Sequence, residues 1–74
     1  MDENIRTLYD VQQLLKGYGI FVHLGKRLWD IELMHEELIR IHDARLIEDK
    51  VFQTAALVLK REHRYEQAKT DEQL

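Results

Sequence analysis

Length, charge and cysteine content exclude several classes of protein. The chain has 74 residues, a formal net charge of -3 and no cysteine, so no disulfide or thiolate chemistry is available to it. The acidic balance argues against a protein whose main task is to grip duplex DNA. The polar start MDENIRTLYD and the lack of a long apolar run predict a cytoplasmic chain without a secretion signal or membrane span.

The composition predicts helices. Proline is absent, glycine occurs three times and charged residues make up 34% of the chain. We predict an all-α fold, a small antiparallel three-helix bundle, as a single domain over residues 1–66. Residues 67–74 are expected to form a frayed or disordered polar tail. The nearest alternative is a long two-helix hairpin with the first helix as a lid.

The first predicted helix spans about residues 8–16. Thr7 has the side chain of an N-cap, and Asp10 is placed to meet the free amides and the positive helix end. Gly17 is expected to end the helix in the left-handed conformation. The apolar stripe of this helix is Leu8, Val11, Leu14 and Leu15.

The segment GYGIFVHLGKR, residues 17–27, holds all three glycines and ends on two cations, as a phosphate-binding loop could. Five residues separate Gly19 from Gly25, whereas a P-loop has four, and Arg27 stands where that loop needs Ser or Thr. We therefore predict an irregular connector that closes the end of the core. Lys26 and Arg27 oppose the dipole of the helix that follows, which is compatible with an anion there.

The second predicted helix spans about residues 26–44, and the third spans about residues 49–64. Ile47 and Phe52 have the spacing of a hydrophobic staple around a cap near Glu48. The inward stripe of the second helix is Leu24, Leu28, Ile31, Met34, Leu38, Ile39 and Ile41. That of the third helix is Val51, Phe52, Ala55, Val58 and Leu59.

The residues favour no catalytic or metal chemistry. His35 begins a His-Glu-x-x-His pattern, but Ile39 occupies its closing position. His35 and His42 lie two helical turns apart, about 10 Å, which is too far for one metal ion. We expect both at the margin of the core, bonded to Glu32, Asp43 or backbone. The chain has no serine for a triad. It is therefore predicted not to be an enzyme, with no catalytic residue, metal, cofactor or small-molecule substrate.

Two surfaces are candidates for binding. Trp29 and Leu33 fall on the outward side of the second helix and Leu57 on that of the third, which predicts an interaction patch. The alternative is that the pair on the second helix is covered within the chain.

The second candidate surface is basic. Cations share one side of the third helix, and more cations and aromatic rings are expected nearby, as in a platform for single-stranded nucleic acid. The predicted nucleic-acid-binding residues are Tyr18, Lys26, Arg27, Lys50, Lys60, Arg61 and Arg64. The alternative is that these cations simply face water.

Three segments, TLYDVQQLLKGYG, GKRLWDIELMHEEL and FQTAALVLKRE, occur in this order and resemble the YqgQ-like family of small cytosolic proteins from Bacillus-type bacteria. The likeness covers roughly residues 7–62, and YDVQQLL-x-x-YG is its most specific part. The resemblance implies a compact three-helix protein of unassigned function, with single-stranded nucleic acid as the one partner class to attach to it. It transfers no catalytic motif.

These observations predict a non-catalytic interaction module. It would self-associate or bind another protein through the outward apolar patch. The alternative is a single-stranded nucleic-acid-binding protein that uses the basic face of the third helix.

Overall fold

Three helices make up the fold. The computed structural model describes residues 4–72, and its helices are α1 (Leu8–Lys16), α2 (Arg27–Asp43) and α3 (Asp49–Glu72). No strand occurs within residues 4–72. The prediction of an all-α three-helix protein is confirmed.

The start of α1 is a capping box. Thr7 Oγ1 accepts a hydrogen bond from the Asp10 amide at 3.2 Å, and Asp10 Oδ2 accepts one from the Thr7 amide at 3.0 Å. The Arg6 amide donates to the same Asp10 oxygen at 2.9 Å. Three amides at the helix start are thereby satisfied, as the sequence indicates.

The end of α1 differs from the prediction. Gly17 keeps a right-handed helical conformation (φ -62), and Gly19 is the residue in the left-handed region (φ 78). The Gly19 amide donates to Lys16 O at 2.9 Å and the Ile20 amide donates to Leu15 O at 3.0 Å. This pair of bonds is a Schellman motif with Gly19 at its left-handed position, so the choice of Gly17 was wrong.

The bounds of α2 agree with the prediction to within one residue at each end. At the start of α3, Ile47 and Phe52 are both partly buried and pack against the core, as a hydrophobic staple requires. The predicted end of the third helix at Arg64 was too early, because α3 continues to Glu72. Its polar end is supported by Lys69, whose ammonium lies 3.5 Å from Glu66 Oε2 and 4.8 Å from the Tyr65 ring centroid.

Residues 67–72 are therefore helical, although they were expected in a polar tail. Residues 73 and 74 lie outside the described part of the chain. The domain boundary at residue 66 and the fraying of the tail stay predictions.

The helices α2 and α3 form an antiparallel hairpin. Near the start of α2, Arg27 Nε lies 3.8 Å from Glu66 Oε2 of α3. Near the end of α2, His42 Nε2 lies 2.7 Å from Asp49 Oδ1 in the first turn of α3. The two helices thus run side by side over the whole length of α2.

The helix α1 is also antiparallel to α3. At the start of α1, Arg61 Nη2 of α3 donates to Arg6 O at 2.6 Å. Just past the end of α1, Tyr18 Oη donates to Leu46 O at 3.0 Å, in the turn between α2 and α3. It follows that α1 lies along α2 in the same direction.

The connector between α1 and α2 must therefore return along the bundle. Ile20 and Val22 pack against the core from the side. The Leu24 amide donates to Asp30 Oδ1 at 2.6 Å, which fixes the end of the connector to the first turn of α2. The connector is a crossover along the flank rather than the predicted plug at one end.

The apolar stripes of the three helices meet in one core. Two members of the predicted stripe on the second helix are exposed instead: Leu24, which belongs to the connector, and Ile39, which is 38% exposed. The buried residues are Ile5, Leu8, Val11, Leu15, Ile31, Met34, Leu38, Ile41, Val51, Ala55, Val58 and Leu59.

Candidate functional site

The first candidate site is the outer side of α2 at its start. Trp29 is 51% exposed, and the ammonium of Lys26 lies 4.6 Å from the centroid of its ring. Lys26 is the N-cap residue of α2 but makes no side-chain capping bond, so the ring is its contact. Leu33, one turn after Trp29, is partly buried. The pair therefore presents an exposed indole beside a half-covered leucine.

Leu57 is 67% exposed but is not part of this surface. It lies two residues from the buried Ala55 and Leu59, so at about 100° per residue it points away from the side of α3 that meets α2. By the same geometry Trp29 points away from the side of α2 that meets α3. Of the three predicted patch residues, α2 brings Trp29 and Leu33 together, and Leu57 lies elsewhere.

Several predicted nucleic-acid-binding residues already serve the fold. Arg61 donates to Arg6 O, and its Nε lies 3.2 Å from Glu62 Oε2. Tyr18 holds Leu46 O through its hydroxyl, and Arg27 is paired with Glu66. These three side chains hold α1 and α2 on α3. Their polar groups already have partners within the chain, whereas a nucleic-acid-binding surface would need them free.

The remaining cations of the third helix are exposed and spread along it. Lys50 lies near the start of α3, and Lys60 and Arg64 lie ten and fourteen positions further on. At 1.5 Å per residue, about 20 Å separates Lys50 from Arg64. Lys60 and Arg64 are the two members that the fold brings together, because they line the same groove.

This groove runs between α2 and α3 and has a volume of about 800 Å³. Its floor includes Ile31 and Leu59, each 1% exposed. Glu32 and Glu36 form an acidic rim on α2, and Lys60 and Arg64 form a basic rim on α3. The lining also includes His35, His63, Gln67 and Ala68.

Sequence reasoning missed the groove. Each rim is an i, i+4 pair of like charge, which is a readable signal. The two pairs face the same groove because of how α2 and α3 are aligned in the hairpin. The apolar periodicity of a single helix gives no information about that alignment.

His35 and His42 are both partly buried, as expected, but neither is paired with Glu32 or Asp43. His63 Nε2 lies 2.9 Å from Glu32 Oε2 and thus bridges α3 to α2. His42 bonds Asp49 rather than Asp43, and its ring stacks on Phe52 with centroids 4.0 Å apart. Both contacts join α2 to α3. They stabilise the hairpin that carries the groove.

A metal-binding cluster and a membrane-spanning helix are both absent from residues 4–72. In this part of the chain no three His, Asp or Glu side chains are arranged to hold a metal ion. Nor does any helix in it have the length and apolar character needed to cross a membrane. No buried side-chain polar atom in it lacks a hydrogen-bond partner.

The fold and these surfaces define a small all-α protein built on a two-helix hairpin with a third helix against it. Residues 5–65 match the family model described as YqgQ-like. The chain is 43% identical over 58 residues to the uncharacterised protein YqgQ of Bacillus subtilis (strain 168), covering 78% of this chain and 82% of that protein. The chain belongs to the YqgQ-like family.

Proposed function

We propose that the protein is a non-catalytic interaction module of the cytoplasm that contacts another protein molecule through Trp29 and Leu33. The observation that carries the proposal is the half-exposed indole on a well-formed helix, with the Lys26 ammonium 4.6 Å above its ring. Tryptophan contributes more than most residues to protein interfaces when a partner covers it.

The position of Trp29 supports this role. Its ring is held outside the core, which closes without it, so the residue adds little to the packing of the three helices. The neighbouring Leu33 is partly buried and extends the apolar surface by one helical turn. A second copy or a different protein would meet a small apolar centre with a cation at its edge.

The test is the double substitution Trp29→Ala with Leu33→Ala. The helical circular dichroism should change little, and the mass of the complex purified from the native host should fall, as measured by native mass spectrometry and light scattering. Leu57→Ala is the matched control, since it removes an exposed leucine from the other helix. A complex of unchanged mass in the double variant would remove the proposal.

A second candidate function is the binding of single-stranded nucleic acid. The observation that favours it is the same indole beside Lys26 and Arg27, because an exposed ring can stack a base while cations hold phosphates. The expected result is binding of an oligonucleotide that weakens steeply with salt. Lys26→Glu should weaken the binding, whereas Lys50→Glu should leave it unchanged. Salt-insensitive binding, or none, would exclude this function.

A further inference from the structure

The groove between α2 and α3 carries opposite charges on its two rims. The acidic rim is Glu32 and Glu36, and the basic rim is Lys60 and Arg64. No described residue forms an ion pair with Glu36, Lys60 or Arg64. Three of the four rim charges are thus without an intramolecular partner in the described part of the chain.

The rims stand level with each other along the hairpin. The contact of Glu32 with His63 sets the register of the two antiparallel helices. One turn further along α2, Glu36 is level with Lys60 to within one residue, and Glu32 is level with Arg64 to within one residue. Each acidic residue therefore has a basic counterpart at the same height on the other side of the groove.

This arrangement is self-complementary under a two-fold axis. If the axis runs parallel to the helices, α2 of one copy lies against α3 of the other copy at the same height. Glu36 then faces Lys60 of the second copy, and Glu32 faces Arg64, with each pair formed twice. Every helix of the four-helix assembly is antiparallel to both of its neighbours, as in up-down-up-down bundles.

We propose that the α2–α3 groove face is a homodimer interface, paired with a second copy of this chain by its opposite rims. The pairing also covers Ile39, which is exposed on the same side of α2 as the acidic rim. The face extends along the 17 residues of α2, about 25 Å at 1.5 Å per residue, so several helical turns are available to the pairing.

Charge reversal tests the pairing. Glu36→Lys and Lys60→Glu each place like charges across the interface twice, so each variant should dimerise about ten-fold more weakly or worse. An equimolar mixture of the two variants should form a heterodimer, because both cross pairs are then complementary. Labelling one variant with ¹⁵N makes that heterodimer visible by native mass spectrometry. Circular dichroism confirms that each variant is folded.

Wild-type protein that stays monomeric at high micromolar concentration would overturn the proposal, as would a wild-type oligomer other than a dimer. Charge variants that dimerise like the wild type, or a mixture that fails to recover, would also overturn it. The groove lining includes neither Trp29 nor Leu33. A mass that falls with Trp29→Ala and Leu33→Ala, but not with the charge variants, would assign self-association to that surface and exclude the groove.

Discussion

The hydroxyl of Tyr18 donates a hydrogen bond to the backbone carbonyl of Leu46 at 3.0 Å, across 28 positions of sequence. The bond ties the residue just after α1 to the turn that joins α2 to α3. It therefore helps to orient α1 on the hairpin, at the point where the connector turns back along the bundle.

Tyr18→Phe should lower the free energy of unfolding by about 0.5–1 kcal/mol, because one partly exposed hydrogen bond is lost and the ring is kept. Urea denaturation followed by circular dichroism measures the change. Tyr9→Phe is the matched control, since the Tyr9 hydroxyl bonds no described residue and its ring is exposed. Equal stability of the two variants would show that the bond to Leu46 does not hold α1.

Arg61 should matter for folding more than Arg64 does. Its guanidinium donates to Arg6 O at 2.6 Å across 55 positions, so Arg61→Gln should cost about 1 kcal/mol of unfolding free energy. Arg64→Gln, which removes the same charge one turn later, should cost less than about 0.5 kcal/mol.

The same urea denaturation compares the two arginine variants, and equal losses would contradict the structural role of Arg61. The result also bears on nucleic-acid binding. A loss of binding after charge reversal at Arg61 would report a disturbed fold as much as a lost phosphate contact, whereas a change at Lys26 avoids that ambiguity.

The sequence was sufficient to predict the helix cap and the buried face of each helix, because residues close together in the chain determine both. The capping box of Thr7 and Asp10 forms because its two side chains and two amides lie within four residues. The buried positions Ile31, Met34 and Leu38 follow from helical periodicity, since one face of each helix must meet the others.

The placement of the helices relative to one another could not be predicted from the pattern within each helix. Periodicity places Leu57 and Trp29 outward on their own helices but does not say how far apart the packing of α2 on α3 holds them. The groove could not be predicted for the same reason. Glu36 and Lys60 lie at nearly the same height because of the alignment of α2 with α3, which the sequence pattern of either helix does not give. The length of α3 was missed because its end is polar, and its helicity depends on side-chain pairs such as Glu66 with Lys69 rather than on burial.

The two glycines after α1 should respond differently to alanine. Gly19 has φ 78, so Gly19→Ala should lower the free energy of unfolding by about 1 kcal/mol although no atom lies within 4 Å of the added Cβ. Gly17 has φ -62, a conformation that alanine adopts readily, and an added Cβ would lie 3.3 Å from Leu14 O, so Gly17→Ala should cost less than Gly19→Ala.

Thermal unfolding of the two alanine variants gives the comparison. Gly19→Asn is a useful third variant, because asparagine tolerates the left-handed region better than alanine and should recover part of the loss. A larger loss at Gly17 than at Gly19 would contradict the assignment of the left-handed position to Gly19.

Asp10 should make stability depend on pH at the acid end. The amides of Arg6 and Thr7 donate to its carboxylate, and these bonds hold the pKa of Asp10 below its ordinary value of 3.8. A lowered pKa in the folded state stabilises the protein above the ordinary pKa, and this contribution is lost as pH falls through the lower, folded value. Asp10→Asn should therefore be less stable than the wild type at neutral pH, and the difference should shrink below pH 3.8.

Urea denaturation at a series of pH values from neutral to strongly acidic measures this difference. Asp43→Asn is the control, because Asp43 is exposed and bonds no described residue, so its removal should not reproduce the pattern. Thr7→Ala provides a second comparison, since loss of the hydroxyl cap should cost about 1 kcal/mol at neutral pH while the carboxylate keeps its own amide bonds. A constant gap between Asp10→Asn and the wild type at every pH would show that the carboxylate charge does not contribute to the cap.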